Sequence, residues 1–336
     1  MTLACIFGLA GPELNDEERA FFRECDPWGF IVFKRNVGHP AQLAALTAEL
    51  RGLVGRADAP VLIDQEGGRV QRLGPPHWPS YPPGAAYRLA GADPSESRLL
   101  ARLGGRLIAA DLHRVGIDVD CAPVLDTPSP GAHDIIGDRA YAEEPEEVAA
   151  LGRAFAEGLI AGGVLPVIKH IPGHGRAAAD SHESLPVVDA SAADLERDFA
   201  PFRVLSDMPL AMTAHVVFTA FDADRPATTS ARVVEDVIRG SLGFSGALMS
   251  DDLSMKALAG SLRSRAEASH AAGCDLVLHC NGDAAQMKMV AAGARKLSGL
   301  AASRASAALA RKPMAVEGFD EQAARAQLQA ALDRLA

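Results

Sequence analysis

Short apolar segments alternate with longer segments of helical periodicity along most of the chain. The short segments are rich in aliphatic residues and are bounded by Gly, Pro or Asp, a pattern that is typical of buried strands. The longer segments repeat apolar residues at the spacing of one helix face. We predict strands at residues 4–9, 29–33, 61–63, 117–121, 165–168, 210–213, 247–250 and 274–278. We predict helices at residues 16–25, 40–53, 95–115, 145–161, 194–205, 231–241 and 263–272.

The number and order of these segments indicate the fold class. Successive predicted strands are separated by enough chain for a crossover helix, and strands joined in this way are parallel. Strands that are apolar throughout are covered on both faces, as in α/β proteins. We therefore predict an α/β protein with one domain over residues 1–336, a (β/α)8 barrel of the TIM type, with residues 284–336 as C-terminal helices packed on the barrel. A doubly wound open sheet is the alternative.

The composition favours a globular protein with a small-molecule substrate. Hydrophobic residues make up 48% of the chain and charged residues 23%, which is enough apolar material for a sizeable core. The formal net charge is −10, and no run of Lys and Arg stands out. Because phosphate recognition needs clustered cations, nucleic acid and an anionic membrane surface are unsuitable partners.

The N-terminus and the cysteines indicate a cytoplasmic protein. The first residues lack a basic segment, and their apolar run ends at Pro12, so we expect no secretory signal. No apolar stretch reaches the roughly 20 residues that a membrane-spanning helix needs. The five cysteines show no C-x-x-C spacing, so we expect free thiols in a reducing compartment.

Ionisable residues lie at or near the ends of several predicted strands. Barrel enzymes carry their chemistry at the carboxyl ends of the strands, so a barrel would gather these residues around one pocket. One such residue would mean little, but their convergence from distant parts of the chain predicts a functional site. The residues are Asp64, Asp118, Asp120, Lys169, His170, His215, Asp251 and Asp252.

Some of these residues also have an ordinary structural interpretation. Asp252 precedes Leu-Ser-Met-Lys and fits the N-cap of a following helix. Asp118 could make a local hydrogen bond, and His215 could be a hydrogen-bonded interior histidine. Arg139, in a Gly-Asp-Arg loop, could be a solvated surface charge.

The segment 169–182 is unusually dense in functional side chains. It contains Lys169, His170, His174, Asp180 and His182 in a stretch with glycines. The packing of a helix or a strand does not require so many ionisable side chains in one segment. Metal ligation and proton transfer are both possible uses, and the spacing leaves both open.

Four motifs resemble the bacterial β-N-acetylglucosaminidases of glycoside hydrolase family 3 that act in peptidoglycan recycling. They occur in the family's order over nearly the whole predicted barrel. The resemblance implies a one-domain member of that family. The motifs are residues 62–72 (LIDQEGGRVQR), 169–175 (KHIPGHG) with 180–182 (DSH), 212–216 (MTAHV) and 246–255 (GALMSDDLSM).

The resemblance also implies roles for individual residues. Asp251 would be the nucleophile, and His182 the general acid and base, oriented by Asp180. The resemblance implies no metal and no cofactor. The residues that it places against the sugar are Asp64, Arg72, Arg139, Lys169 and His170, together with His215.

The expected activity is that of a retaining exo-β-N-acetylglucosaminidase. The substrates implied by the resemblance are cell-wall muropeptide fragments, N-acetylglucosamine linked to 1,6-anhydro-N-acetylmuramic acid with or without peptide. We expect a monomer or a weak homodimer whose partner is this small carbohydrate substrate.

Three other functions fit parts of the pattern. A glycoside phosphorylase is one, because a neutral histidine in place of a second carboxylate lets phosphate approach. A metal-dependent barrel hydrolase is another, with His170, His174, His182 and Asp251 as ligands. A non-catalytic sugar-binding protein is the third, although it would not need both Asp251 and the Asp180/His182 pair.

Overall fold

The computed structural model describes residues 1–177, 179–181, 184–316 and 318–335. Within these ranges eight parallel strands form a closed barrel, in which each strand pairs with its neighbours in the chain and the last pairs with the first. The closed barrel confirms the predicted (β/α)8 architecture and excludes the open doubly wound sheet. The barrel strands are β1 (Leu3–Phe7), β2 (Pro27–Val32), β3 (Val61–Ile63), β4 (Val119–Asp120), β5 (Leu165–Ile171), β6 (Leu210–Thr213), β7 (Ala247–Asp252) and β8 (Leu276–His279).

Helices surround the barrel, and local signals set several of their starts. Asn15 caps the first helix by accepting the backbone N–H of Glu18, and Glu18 accepts the N–H of Asn15 in return. Proline occupies the first position of α2, α4 and α5, where its missing N–H costs nothing. A π-helical segment, Val233–Ser241, lies between β6 and β7. The α-helices are α1 (Asp16–Cys25), α2 (Pro40–Val54), α3 (Gly84–Ala90), α4 (Pro94–Arg114), α5 (Pro145–Ala161), α6 (Ala192–Val204), α7 (Leu262–Ala272), α8 (Ala284–Gly293), α9 (Gly299–Leu309) and α10 (Glu321–Leu332).

The core has an inner and an outer part because successive strand residues point to opposite faces. In β1, Ala4 and Ile6 belong to the cluster that fills the barrel, whereas Cys5 and Phe7 pack in a cluster beneath the helices. Every barrel strand is thus covered on both sides. This explains why the strands are short and apolar in the sequence.

The C-terminal segment does more than cover the outside of the barrel. Helix α9 contributes Ala305 and Ala308 to the cluster that fills the barrel interior. Arg304 of the same helix donates to Asp275, just before β8, so α9 lies at the amino end of the strands. Helices α8 and α10 lie in the outer layer, where Met287, Val290 and Leu328 pack among the other outer helices.

Two small sheets follow the carboxyl ends of the barrel strands, and the sequence pattern did not predict them. A hairpin of Gln65–Gly67 and Val70–Gln71 follows β3. A three-stranded sheet joins Val187–Val188, Val217–Phe218 and Asp222–Pro226. Among the described helices, none has both the length and the apolar character to cross a membrane.

Candidate active site

A pocket of about 330 Å³ opens at the carboxyl ends of the barrel strands. Its size is at the lower end of small-molecule sites. The hairpin after β3, the 135–139 loop and the segments after β5, β7 and β8 form its walls. Six of the predicted site residues line it: Asp64, Arg72, Arg139, Lys169, His170 and Asp251.

Lys169 is the central cation of the pocket. Its side chain is buried, and its Nζ lies 2.9 Å from Asp64 Oδ1 and 2.6 Å from Glu66 Oε1. Burial alone would lower the pKa of Lys169, but the two carboxylates outweigh it and raise the pKa above its usual value. The ammonium group therefore stays charged and holds two acidic side chains in place.

Asp64 is ionised because two cations flank it. Arg72 Nη2 donates to Asp64 Oδ2 at 3.0 Å, opposite the contact with Lys169. Burial would raise the pKa of Asp64, but Lys169 and Arg72 hold it well below its usual range. The carboxylate can accept hydrogen bonds from a polyhydroxylated ligand while its charge remains compensated.

Arg139 is a pocket residue and not a solvated surface charge. It lies in the turn Gly137–Arg139 and makes two 2.8 Å bonds to the carboxylate of Glu66. Burial would raise the pKa of Glu66, but Lys169 and Arg139 lower it to about 2. Glu66 is therefore a permanent anion that links Lys169 to the 135–139 loop.

Sequence reasoning assigned no role to Glu66. It lies two residues after Asp64, which is the spacing that places two side chains on the same side of an extended segment. That alternation was the signal that could have identified it.

His170 is oriented by Asp126, which sequence reasoning also missed. Asp126 is fully buried, and its Oδ2 lies 2.6 Å from His170 Nδ1. Its Oδ1 accepts the backbone N–H groups of His170 and His174 at 3.2 and 2.7 Å. One buried carboxylate thus fixes both histidines of the 169–175 motif. No periodic pattern marked Asp126, because it lies in the irregular segment between β4 and α5.

Asp251 lies at the end of β7 and faces the pocket. Its Oδ1 accepts the backbone N–H of Asp252 at 2.7 Å. Burial would raise its pKa, but the electrostatic effects of His215 and His170, together with this hydrogen bond, lower it below the usual value. Asp251 is therefore an anion at neutral pH, and it shares the pocket with Lys169 and Arg139.

Asp252 is structural, but the predicted helix N-cap is wrong. Its Oδ1 accepts the backbone N–H groups of Ser254 and Cys280, each at 3.1 Å, and its Oδ2 accepts the Ser254 hydroxyl. The next helix begins ten residues later, at Leu262, and is capped by Ser261. Asp252 therefore ties the end of β7 to the end of β8.

Among the described residues, His215 does not line the pocket, although the sequence predicts it there. It is fully buried, and its Nδ1 lies 2.7 Å from Thr228 Oγ1 while its Nε2 lies 3.0 Å from the carbonyl oxygen of Asp252. Burial lowers the pKa of His215. Its contacts place it behind Asp251, where it supports the 251–252 segment.

The remaining predicted residues lie in the loop after β5. His182 lies outside the described residues. Asp180 is half-buried, and its carbonyl oxygen accepts the backbone N–H of Ser184 at 3.0 Å. Ser181 lines the same pocket as Asp251. The described part of this loop therefore reaches the pocket.

The described residues contain no cluster of three or more His, Cys, Asp or Glu arranged to hold a metal ion. The ligand set of the metal-hydrolase alternative includes His182, so the described part of the chain does not contain that whole set. All five cysteines, each within the described ranges, are free thiols.

Comparisons with known proteins agree with this architecture. The family model described as "Glycosyl hydrolase family 3 N terminal domain" matches residues 7–312. The chain is 42% identical over 282 residues to a β-hexosaminidase of Methylococcus capsulatus, and the match covers 82% of each chain.

Two solved structures show the same fold. NagZ from Neisseria gonorrhoeae, in complex with N-trifluoroacetyl-D-glucosamine, has a TM-score of 0.83 and 33% identity over 99% of this chain and 96% of that one. A family 3 β-N-acetylglucosaminidase from Paenibacillus has a TM-score of 0.80 and 32% identity, and the match covers 98% of this chain and 61% of that longer one. Because the family model covers most of the sequence and the relatives match over most of their own length, this chain belongs to glycosyl hydrolase family 3.

Proposed function

We propose that this glycoside hydrolase is a retaining exo-β-N-acetylglucosaminidase that acts through a covalent glycosyl intermediate on Asp251. The relative named β-hexosaminidase and the neighbour solved with an N-acylated glucosamine support an N-acetylhexosamine as the sugar. The observation that carries the proposal is the ionised Asp251 carboxylate in a pocket whose other charged groups are already paired.

The paired groups suit the recognition of sugar hydroxyls. Lys169, Arg72 and Arg139 offer donors, and Asp64 and Glu66 offer acceptors. Each charge has a partner, so burial is compensated before any ligand enters, and bonds to charged groups are stronger than neutral ones. A pocket of about 330 Å³ with such walls fits one terminal sugar better than the middle of a chain, which supports exo cleavage.

Asp251 has the properties that the nucleophile needs. Glycosidic cleavage develops positive charge at the anomeric carbon, which a nearby carboxylate stabilises. In a retaining enzyme that carboxylate bonds to the carbon and is displaced by water in a second step. The lowered pKa of Asp251 keeps it anionic and ready for the first step.

The general acid should be a group that titrates near neutral pH. Among the described pocket residues, Asp64 and Glu66 have lowered pKa values and remain ionised, so neither holds a proton to donate. Burial, with a further contribution from His170, lowers the pKa of His174 to about 4, so at neutral pH its ring is uncharged and cannot act as an imidazolium acid. These states support a histidine in this role, because an unperturbed histidine has a pKa of about 6.5, and the family resemblance implies that this histidine is His182.

Asp180 would orient the histidine and favour its protonated form, as the aspartate of a catalytic triad does. The family resemblance implies both roles, and the position of Ser181 at the pocket supports them.

We extend the proposal to muropeptide fragments that carry N-acetylglucosamine on 1,6-anhydro-N-acetylmuramic acid. The resemblance to peptidoglycan-recycling enzymes supports this substrate. A cytoplasmic site of action fits the five free thiols, which are typical of reducing compartments.

The activity can be tested with three aryl β-glycosides, the N-acetylglucosaminide, the N-acetylgalactosaminide and the glucoside. The proposal requires the N-acetylglucosaminide to be the best substrate, with Asp251→Ala as the inactive control. A fluorosugar inactivator should label Asp251, and labelling at another residue would reassign the nucleophile. Products formed with and without phosphate separate hydrolysis from phosphorolysis, since a sugar phosphate would replace the free sugar.

A further inference from the structure

His174 lines the pocket but has no role in the proposed mechanism. It is 4% exposed, and its backbone N–H donates to Asp126 Oδ1 at 2.7 Å. Its ring packs edge to face on the ring of His170, with the centroids 5.7 Å apart. The first contact therefore fixes the backbone of His174, and the second orients its ring.

The free edge of this ring faces the loop after β5. His174 Nε2 lies 3.3 Å from the hydroxyl oxygen of Ser181. Ser181 is itself buried, and its carbonyl oxygen accepts the backbone N–H of Ala257 at 3.3 Å. Ser181 is thus held from two sides, by the motif that contains His170 and by the segment that follows Asp251.

The charge state of His174 excludes a role in proton transfer at neutral pH. Burial, with a further contribution from His170, lowers the pKa of the ring to about 4. A neutral imidazole is one donor and one acceptor, which suits a fixed hydrogen bond to a hydroxyl group. A buried histidine of this kind holds structure in place and does not cycle between charge states.

We infer that His174 is a positioning residue, whose hydrogen bond to Ser181 fixes the residue that directly precedes the proposed acid/base residue in the chain. The inference rests on the proposed role of His182. The contact of Ser181 with Ala257 fixes it from the other side. Loss of either the His174 or the Ser181 side chain would release Ser181 from this position, and protonation of the leaving oxygen would become less frequent.

The test compares Ser181→Ala and His174→Phe on two N-acetylglucosaminides. One substrate has an alkyl leaving group that needs a proton, and the other has a dinitrophenyl leaving group that does not. We expect kcat/KM to fall about tenfold on the alkyl glycoside, since misplacing a catalytic group by a fraction of an ångström costs of that order. We expect less than about a twofold change on the dinitrophenyl glycoside, whose departure does not use the acid.

Three control variants make the result specific. Ser181→Thr keeps the hydroxyl group and should retain activity on both substrates. Ser184→Ala removes an exposed hydroxyl from the same loop and should change neither rate. In a His182→Ala background, Ser181→Ala should cause no further loss, because the residue that it positions is absent.

Different outcomes overturn different statements. If His182→Ala shows a leaving-group-dependent loss and Ser181→Ala does not, the positioning role of His174 is wrong and the proposed function stands. If His182→Ala itself lowers both rates equally, the acid/base assignment fails, and the inference fails with it. Should His174→Phe not fold, Ser181→Ala decides the question alone, since it deletes only one hydroxyl group.

Discussion

The two ends of the barrel both contain half-buried or buried ion pairs, yet they differ in what those ion pairs face. At the amino end, Asp275 is paired with Arg239 at 2.8 Å and with Arg304 at 3.1 Å. Its Oδ2 also accepts the backbone N–H of Leu248 at 2.9 Å. The carboxylate is fully occupied by the protein itself.

Asp118, directly before β4, is also paired with two cations of the protein. Its Oδ1 accepts the backbone N–H of Val61 at 2.8 Å, and its Oδ2 lies 2.8 Å from Lys312 and 3.2 Å from Arg51. The partners come from α2 and from the C-terminal segment. These contacts join the outer layer to the start of β3.

At the carboxyl end, the ion pairs of Lys169 with Asp64 and Glu66 line an open pocket. The same residue types occur at both ends, so the presence of a buried charge does not identify the active site. What distinguishes the carboxyl end is that its charged groups share a cavity with an ionised carboxylate, Asp251, that no cation in the described residues contacts directly.

The sharpest contrast is between Asp251 and Asp275. Asp251→Asn should lower kcat about 10⁴-fold or more, because an amide cannot form the glycosyl intermediate. Its melting temperature should change little, because the amide oxygen can still accept the N–H of Asp252. Asp275→Asn should do the opposite, with a lower melting temperature and a nearly unchanged kcat. Steady-state kinetics and thermal unfolding measure both, and an active Asp251→Asn variant would contradict the comparison.

The second contrast concerns two lysines. Lys169→Met should reduce the free energy of unfolding by about 3–5 kcal/mol, since it leaves two buried carboxylates without their shared cation. Lys312 is 25% exposed, and Lys312→Met should cost only about 1 kcal/mol. Urea unfolding at neutral pH gives both values. Equal losses would mean that the pocket ion pairs contribute no more to the free energy of unfolding than those at the amino end.

The third contrast is between two aspartates in the same region of the chain. Asp120 is fully buried between the strands that carry Asp64 and Lys169, and burial raises its pKa to about 8. The folded protein therefore keeps a proton that the unfolded chain releases near pH 4. The contribution of Asp120 to stability is complete below about pH 4 and is lost as the pH rises through about 8.

Asp120→Asn removes this titration and keeps an acceptor for the backbone N–H of Gln65, which Asp120 Oδ1 accepts at 2.9 Å. Its free energy of unfolding should fall less between pH 5 and pH 8 than that of the unmodified protein. Asp118→Asn, from the amino end, is the control and should keep the pH dependence that Asp120 causes. If Asp120→Asn shows the same pH dependence as the unmodified protein, Asp120 is not the group responsible.

Much of the fold is predictable from local signals along the chain. The predicted bounds of α1, α5 and β6 coincide with those in the structure, because a cap, a first-turn proline or a bounding proline marks their starts. The two small sheets were missed because their strands are only two to five residues long, which is too short for a periodic pattern. The place of α9 was missed because an alanine-rich helix shows no strong apolar face.

The candidate site was also predictable only where a local signal marks the residue. Residues directly after a strand, such as Asp64 and Asp251, could be found from the end of an apolar run, and the structure brings them to one pocket. Asp126 could not, because its role depends on how an irregular segment folds back on β5. His215 lies near a strand end as well, but only the packing of the Thr228 segment shows that its ring does not line the cavity.

Arg139 and Glu66, which are joined by two hydrogen bonds, belong to a set of pocket charges whose balance affects how ligands bind. Around the cavity four cations, Arg69, Arg72, Arg139 and Lys169, balance four carboxylates, Asp64, Glu66, Asp251 and Asp252. A neutral ligand that enters such a balanced site has no need to displace counter-ions from it. Its affinity should therefore vary little with ionic strength, in contrast to that of ligands drawn in by net charge.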